Sequence, residues 1–297
     1  MRGDAALDVL AHAKLNLSLR VLARETSGYH QIETMYCALE FADEIEISRT
    51  AEGVSLEVVS PAGQAGLPPD PVPLEQNLAW RAAALFARAA AVTDGIHVRL
   101  TKRIPAGAGL GGGSSDAAAV LSALNQLHDK PLAARELLAL GAQLGSDVPF
   151  FLTGATLALG WGRGGRMVPL APLPAAPVVL AVPPERVSTA AAYAALAVTD
   201  ASAPAIIDAP HAWSDMAKLA HNDFEDVVFP QQPRLPLLRQ ILQDAGAVIA
   251  RMTGTGSVVF GVFADVAAAD AAARRVTDSH PDVETVVTRT RGLGAGA

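Results

Sequence analysis

Two stretches near the start of the chain, Val9 to Leu22 and Met35 to Ser48, alternate apolar and polar positions, with Leu15, Leu17 and Leu19 on one face and Ile45 and Ile47 on another. A period of two marks a half-buried strand, so both are expected to be strands. The intervening Arg24 to His30 segment holds the turn signal Ser27-Gly28, with Tyr29 and His30 just beyond it. From Asn77 to Val92, Leu78, Ala82, Leu85 and Phe86 recur at helical spacing; Ile96, Val98 and Leu100 then return to period two. A helix is expected from Ser114 to about Leu127, with Ser114-Ser115-Asp116 serving as its cap. A second helix, Ala133 to Leu144, stops at Gly145 and delivers Ser146-Asp147 into a turn before Pro149. Thr156 to Leu159 reads as a strand, and a glycine cluster from Gly160 to Gly165 closes this half.

After the proline-rich connection Pro169 to Pro177 the pattern restarts, which predicts a boundary between domains 1–168 and 169–297. Strands are expected at Val178–Val182, Val248–Met252, Val258–Phe263 and Val283–Thr288. Helices are expected at Thr189–Leu196, Met216–Val227, Leu235–Ala245 and Val266–Thr277. Pro61 to Pro73 is rich in proline and glycine and reads as a surface loop. Strands with helices packed on one side predict an α+β architecture without a solenoid repeat.

At 297 residues the chain is long enough for two cores. Its net charge of -7 argues against a general nucleic-acid partner, so any phosphate must be held locally. The single cysteine, Cys37, allows no internal disulfide and lies in an apolar alternating run, where packing is its expected role. Met1 to Lys14 is interrupted by charge and lacks a signal-peptide core, and Ala82–Val92 and Val178–Val182 fall short of the about 20 residues of a membrane span. A cytoplasmic protein without a membrane partner is expected.

Chemistry concentrates in Pro105-Ala106-Gly107-Ala108-Gly109-Leu110-Gly111-Gly112-Gly113-Ser114-Ser115. Its glycines let the backbone approach a ligand and turn amides inward, and the following helix directs its positive end at the same spot. That combination is an anion site, and the two serine hydroxyls add donors for a phosphate oxygen or for the water shell of Mg2+. Gly107-x-Gly109-x-x-Gly112 matches a dinucleotide fingerprint in form, yet the position about 20 residues on is Leu132 and not an acid. No Lys-Ser or Lys-Thr pair follows the glycines, which excludes the common P-loop, and the His-Arg-Asp and Asp-Phe-Gly signatures of protein kinases are missing.

Pro105 to Ala118 resembles the phosphate-binding motif of the GHMP kinase superfamily. Ala13-Lys14-Leu15-Asn16-Leu17 with Gly28-Tyr29-His30, Leu144-Gly-Ser-Asp147-Val-Pro-Phe-Phe151 and Met252-Thr-Gly-Thr-Gly-Ser-Val-Val-Phe260 are similar, in order, to motifs of its 4-diphosphocytidyl-2-C-methyl-D-erythritol kinase family. The resemblance runs from about Ala11 to Val287. It departs at Gly162-Arg163-Gly164-Gly165, where such kinases often carry Gly-x-Gly-Glu.

The resemblance implies a two-domain α+β fold, with an N-terminal domain like domain 2 of ribosomal protein S5 for ATP and catalysis, and a ferredoxin-like C-terminal domain for substrate. It implies ATP-dependent phosphorylation of the substrate's 2-hydroxyl, another GHMP kinase of sugar, homoserine or mevalonate type being the alternative. Asp147 would take the proton of the attacking hydroxyl. Lys14, costly on an apolar strand unless paired, would partner Asp147 and face the phosphoryl group. Asn16 would bond the polyol from the same strand face. Tyr29 would stack on the cytosine, His30 would bond its edge, and Tyr193 would close the sandwich. Asn77 and Lys102 would sit near the adenosine part of ATP, with Mg2+ held through the phosphates. Gly254 and Gly256 would bring a hairpin against the phosphate loop.

Overall fold

The computed structural model describes residues 6–60, 73–196 and 209–292; the expected loop at Pro61 to Pro73 falls almost wholly outside them. The described residues form two compact units that interleave along the chain. One comprises 6–13, 41–60, 73–106 and 111–154, and the other 14–40, 107–110, 155–196 and 209–292.

In the first unit, β4 (Gly95–Thr101) pairs antiparallel with the far half of β2 (His30–Thr50), Glu44 opposite Thr101, and parallel with β3 (Val54–Val59). Ile45, Ile47, Ile96, Val98 and Leu100 are buried, as their alternation predicts, because period two sends them all to one face. That face is covered by α1 (Leu78–Ala89) and α2 (Gly112–Leu127), which contribute Phe86, Val120, Leu121 and Leu124 to the same core. Asn77 caps α1, its side chain accepting the Ala79 amide at 2.9 Å. Helix α3 (Ala134–Leu144) ends at Gly145, and the short α4 (Val148–Leu152) follows.

In the second unit, β7 (Pro177–Val182), β9 (Ile249–Met252), β10 (Val259–Val262) and β11 (Glu284–Arg289) form an antiparallel sheet in the order β11-β7-β10-β9. Helix α8 (Arg234–Asp244) lies in sequence between β7 and β9, and α9 (Val266–Ser279) between β10 and β11. This is the ferredoxin-like order expected of the C-terminal half. Leu235, Leu238, Leu242, Ala269, Ala272 and Val276 pack these helices into a core with Val179, Ala181 and Val259. The same unit holds Lys14 to Arg24 of β1 (Leu7–Arg24), the near half of β2, and the hairpin β5 (Leu157–Gly162) and β6 (Arg166–Pro169), with β5 antiparallel to β2.

The structure corrects three local expectations. Helix α2 begins at Gly112, two residues before the expected cap; Gly111, at φ 72°, is the capping residue and makes no side-chain cap bond. Ser114, Ser115 and Asp116 therefore lie inside the helix. Met216–Val227 is not one helix but α6 (Trp213–Leu219), the two-residue β8 (His221–Asn222) parallel to β1, and α7 (Phe224–Val228). The Asn222 side chain breaks it by accepting the Phe224 amide while donating to the carbonyls of Met252 and Gly254. Strands β3 and β6 and helix α4 had no counterpart in the expected elements. Expected helix Thr189–Leu196 is α5 (Thr189–Ala195).

Cys37 is buried in β2, and burial pushes its thiol up to about 12. No helix among the described residues is long and apolar enough to cross a membrane.

Candidate active site

The glycine-rich loop is shaped by where its carbonyls go. Within the second unit, the Ala108, Gly109 and Leu110 oxygens accept from the Val258 amide (3.4 Å), the Thr253 hydroxyl (3.2 Å) and the Lys14 amide (3.0 Å). In a trans peptide the N–H points opposite to the C=O, so the amides of Gly109, Leu110 and Gly111 turn away from these three partners. Gly109 must be glycine: at φ 84° a Cβ would fall 2.1 Å from the Thr253 oxygen. The hairpin around Gly254 thus meets the loop, as expected. In the first unit the opening turn of α2 presents the amides of Gly112, Gly113 and Ser114, for which a helix has no internal acceptor. Ser114 is half-buried and Ser115 buried.

Lys14 and Asn16 share one face of β1. Both are buried, and the Lys14 ammonium donates to Asn16 Oδ1 at 2.6 Å and lies 5.7 Å from the centre of the Tyr36 ring. The Asn16 amide group donates to Thr34 Oγ1 at 2.8 Å, and its backbone N–H to Thr253 Oγ1 at 3.0 Å. Thr253 therefore ties β1 and the glycine-rich loop to one hydroxyl.

Asp147, half-buried, stands immediately before α4. The turn is fixed by Val148 N–H bonding the Gly145 oxygen at 3.3 Å, by Phe150 N–H bonding the Asp147 oxygen at 3.1 Å, and by Pro149. A Cβ on Gly145 would lie 3.6 Å from Ser114 Oγ, so this turn packs beside the first turn of α2.

In the second unit, the His30 and Tyr193 rings are 4.9 Å apart and tilted by 35°, and Tyr193 meets Phe224 edge-on at 4.7 Å. Burial, and then the Arg24 charge, hold the His30 imidazole below its ordinary value. Tyr29 is 60% exposed, and the Arg163 guanidinium lies 4.1 Å from its ring centre. Arg163 is held in turn by the carboxylate of Glu25 and by Ser27 Oγ. Arg163 thus covers one face of Tyr29 with a cation, and Tyr193 faces His30.

Asn77 and Lys102 are both in the first unit, Asn77 as the α1 cap and Lys102 just past β4. The Lys102 ammonium is largely buried between the carboxylates of Asp43 and Asp116. Burial, offset by Lys102 and reinforced by Asp43, pushes the Asp116 carboxyl from 3.8 up to about 8. The folded state thus favours the protonated acid: that contribution to stability is complete below about pH 4 and is lost as pH climbs to about 8. Asp116→Asn, neutral throughout, is expected to flatten the fall in melting temperature between pH 5 and 8; an unchanged fall would refute the assignment.

Sequence reasoning missed Thr253, Asn222, Asp43 and Asp116 as organising groups. Asp43 carried a signal, an acid inside an alternating apolar strand, whereas Asn222 carried none.

Residues 77–155 match the GHMP kinases N terminal domain, and residues 202–282 the GHMP kinases C terminal domain. The 4-diphosphocytidyl-2-C-methyl-D-erythritol kinase of Solibacter usitatus is 42% identical over 86% of this chain and 80% of its own. That of Pelotomaculum thermopropionicum is 40% identical over 96% and 98%. A crystal structure of 4-(cytidine 5'-diphospho)-2C-methyl-D-erythritol kinase superposes with a TM-score of 0.78 at 33% identity, covering 97% of this chain and 100% of that one. Mevalonate kinase from L. major, at 16% identity and a TM-score of 0.68, shares the fold. With this fold, this order of motifs and relatives of this identity along nearly its whole length, the chain belongs to the 4-diphosphocytidyl-2-C-methyl-D-erythritol kinase family of GHMP kinases.

Proposed function

We propose that the protein transfers the γ-phosphoryl group of ATP to the 2-hydroxyl of 4-diphosphocytidyl-2-C-methyl-D-erythritol. The observation that carries this reading is the loop whose carbonyls at 108, 109 and 110 are all engaged on one side, leaving the amides to an anion on the other. Pro105 to Ser115 cradle the phosphates, with Asn77 and Lys102 on the nucleotide side. Asp147 accepts the proton of the attacking hydroxyl, because an alcohol must lose it as the new P–O bond forms. Lys14 balances charge gathering on the phosphoryl oxygens. Asn16 orients the polyol, and Tyr29, His30 and Tyr193 recognise the cytosine.

Mg2+ neutralises the β- and γ-phosphates when bound. Among the described residues no group of three or more His, Cys, Asp or Glu side chains is placed to hold a metal. Residues 1–168 supply the ATP and catalytic groups, and residues 169–297 add Tyr193 to the substrate side. Consumption of cytoplasmic ATP fits the same assignment.

The direct test measures ATP consumption with the cytidine substrate beside galactose, homoserine and mevalonate. Turnover is expected with the first alone, and turnover only with another alcohol would overturn the proposal. Because Arg163 covers one face of Tyr29, the base stacks on the other. Tyr29→Ala is expected to raise KM for the cytidine substrate by the loss of a stacked base, about 1–3 kcal/mol, leaving KM for ATP unchanged. An unaltered substrate KM would remove Tyr29 from the site.

A further inference from the structure

Asp43 is fully buried at the end of the apolar run of β2. One of its oxygens accepts from two consecutive amides, Arg103 and Ile104 (2.8 Å to the second), where β4 has ended and the glycine-rich loop begins. Its other oxygen takes the Lys102 ammonium. The same ammonium donates to Asp116 Oδ2 at 2.8 Å, in the first turns of α2, where the loop has just ended. A single buried nitrogen therefore joins the start of the loop to its finish. Packing repeats the connection: a Cβ on Gly112 would lie 3.0 Å from the Ile104 side chain and 3.2 Å from Lys102 Nζ.

Two acidic side chains around one ammonium in a dry interior are a poor means of gaining stability. Desolvation of the charges rivals their attraction, and apolar residues of similar volume often serve as well or better. Asp116 also leaves its second oxygen buried without a hydrogen-bond partner. What this arrangement does well is fix direction, since each carboxylate oxygen and each ammonium hydrogen demands a partner along its own axis. The groups so directed are the backbone at 103–104 and the opening of α2, the two supports of the phosphate cradle.

We propose that Asp43 and Asp116 are positioning residues for ATP: acting through Lys102, they hold the entrance and exit of the glycine-rich loop at the spacing its amides need to grip the phosphates. This rests on the reading of that loop as the ATP cradle. Lys102 then serves ATP through the loop, and neither carboxylate touches the nucleotide.

The test uses the full chain, with steady-state kinetics for both substrates and titration with a non-hydrolysable ATP analogue and Mg2+. Asp43→Asn is expected to raise KM for ATP and weaken the analogue by 10-fold or more, while KM for the cytidine substrate moves less than 2-fold. A lowered melting temperature with both ATP measurements unchanged would make the cluster merely structural and overturn the proposal. So would tighter analogue binding, the result expected if freeing Lys102 let it reach ATP directly. Should Asp43→Asn not fold, Asp116→Ala answers the same question with the same readouts. If the wild type bound the analogue but did not phosphorylate the cytidine substrate, the substrate assignment would fall, and the titrations would still decide for or against the clamp.

Discussion

Asp147→Asn is expected to lower kcat by about 10²–10⁴-fold, the usual contribution of a positioned general base, with both KM values and the melting temperature nearly unchanged. The substitution keeps the shape of the side chain and leaves the backbone bonds of the turn from Gly145 to Phe150 in place. Pro149 and the buried Phe150 hold that turn whichever side chain stands at 147. What changes is the capacity to take a proton while the hydroxyl attacks. Steady-state kinetics decides the matter: a variant keeping a tenth or more of wild-type turnover would show that Asp147 is not the base.

Gly109→Ala is expected to be severely damaging for the addition of a single methyl group. Its φ of 84° costs an L-residue about 1 kcal/mol, and the new carbon would fall 2.1 Å from the Thr253 oxygen, well inside van der Waals contact. Neither partner can yield easily, since that carbonyl belongs to the backbone and Thr253 is fully buried. The loop must move, and displacement of reacting groups by about 1 Å can cost about 100-fold in rate. A fall of that size in kcat/KM for ATP, with a lower melting temperature, is the expected result. Gly53→Ala provides the comparison: it has a similar φ of 76° with nothing within 4 Å, so it should lose stability alone. Equal effects of the two on ATP kinetics would show that the collision at Gly109 does not matter.

The parts of the molecule legible in the sequence were those whose cause is local. Period two in β4 and helical spacing in α1 follow from which face each residue presents, and the glycines of the loop before α2 announce themselves by composition. Thr253 was hidden because its role joins Asn16 and Gly109, positions far apart along the chain. Strand β3, with Val54, Leu56 and Val58 at period two, carried a pattern that was open to reading, whereas β6 has four mostly exposed residues and no pattern of its own. Helix α2 was misjudged at its start because Ser-Ser-Asp is good cap chemistry, while the structure uses the left-handed Gly111 and spends Asp116 on Lys102. At Asn222 a helical apolar spacing was overruled by a side chain whose partners lie at 252 and 254.

The burial of Cys37 has a practical side. With the thiol pushed up to about 12 by burial, it stays protonated at neutral pH, and the surrounding strands shield it from reagents. Electrophilic drugs and maleimide dyes find almost nothing to attack in the folded enzyme. A cysteine introduced at any exposed position would then take up a fluorophore or spin label alone, making distance measurements between chosen points possible without first deleting the native thiol.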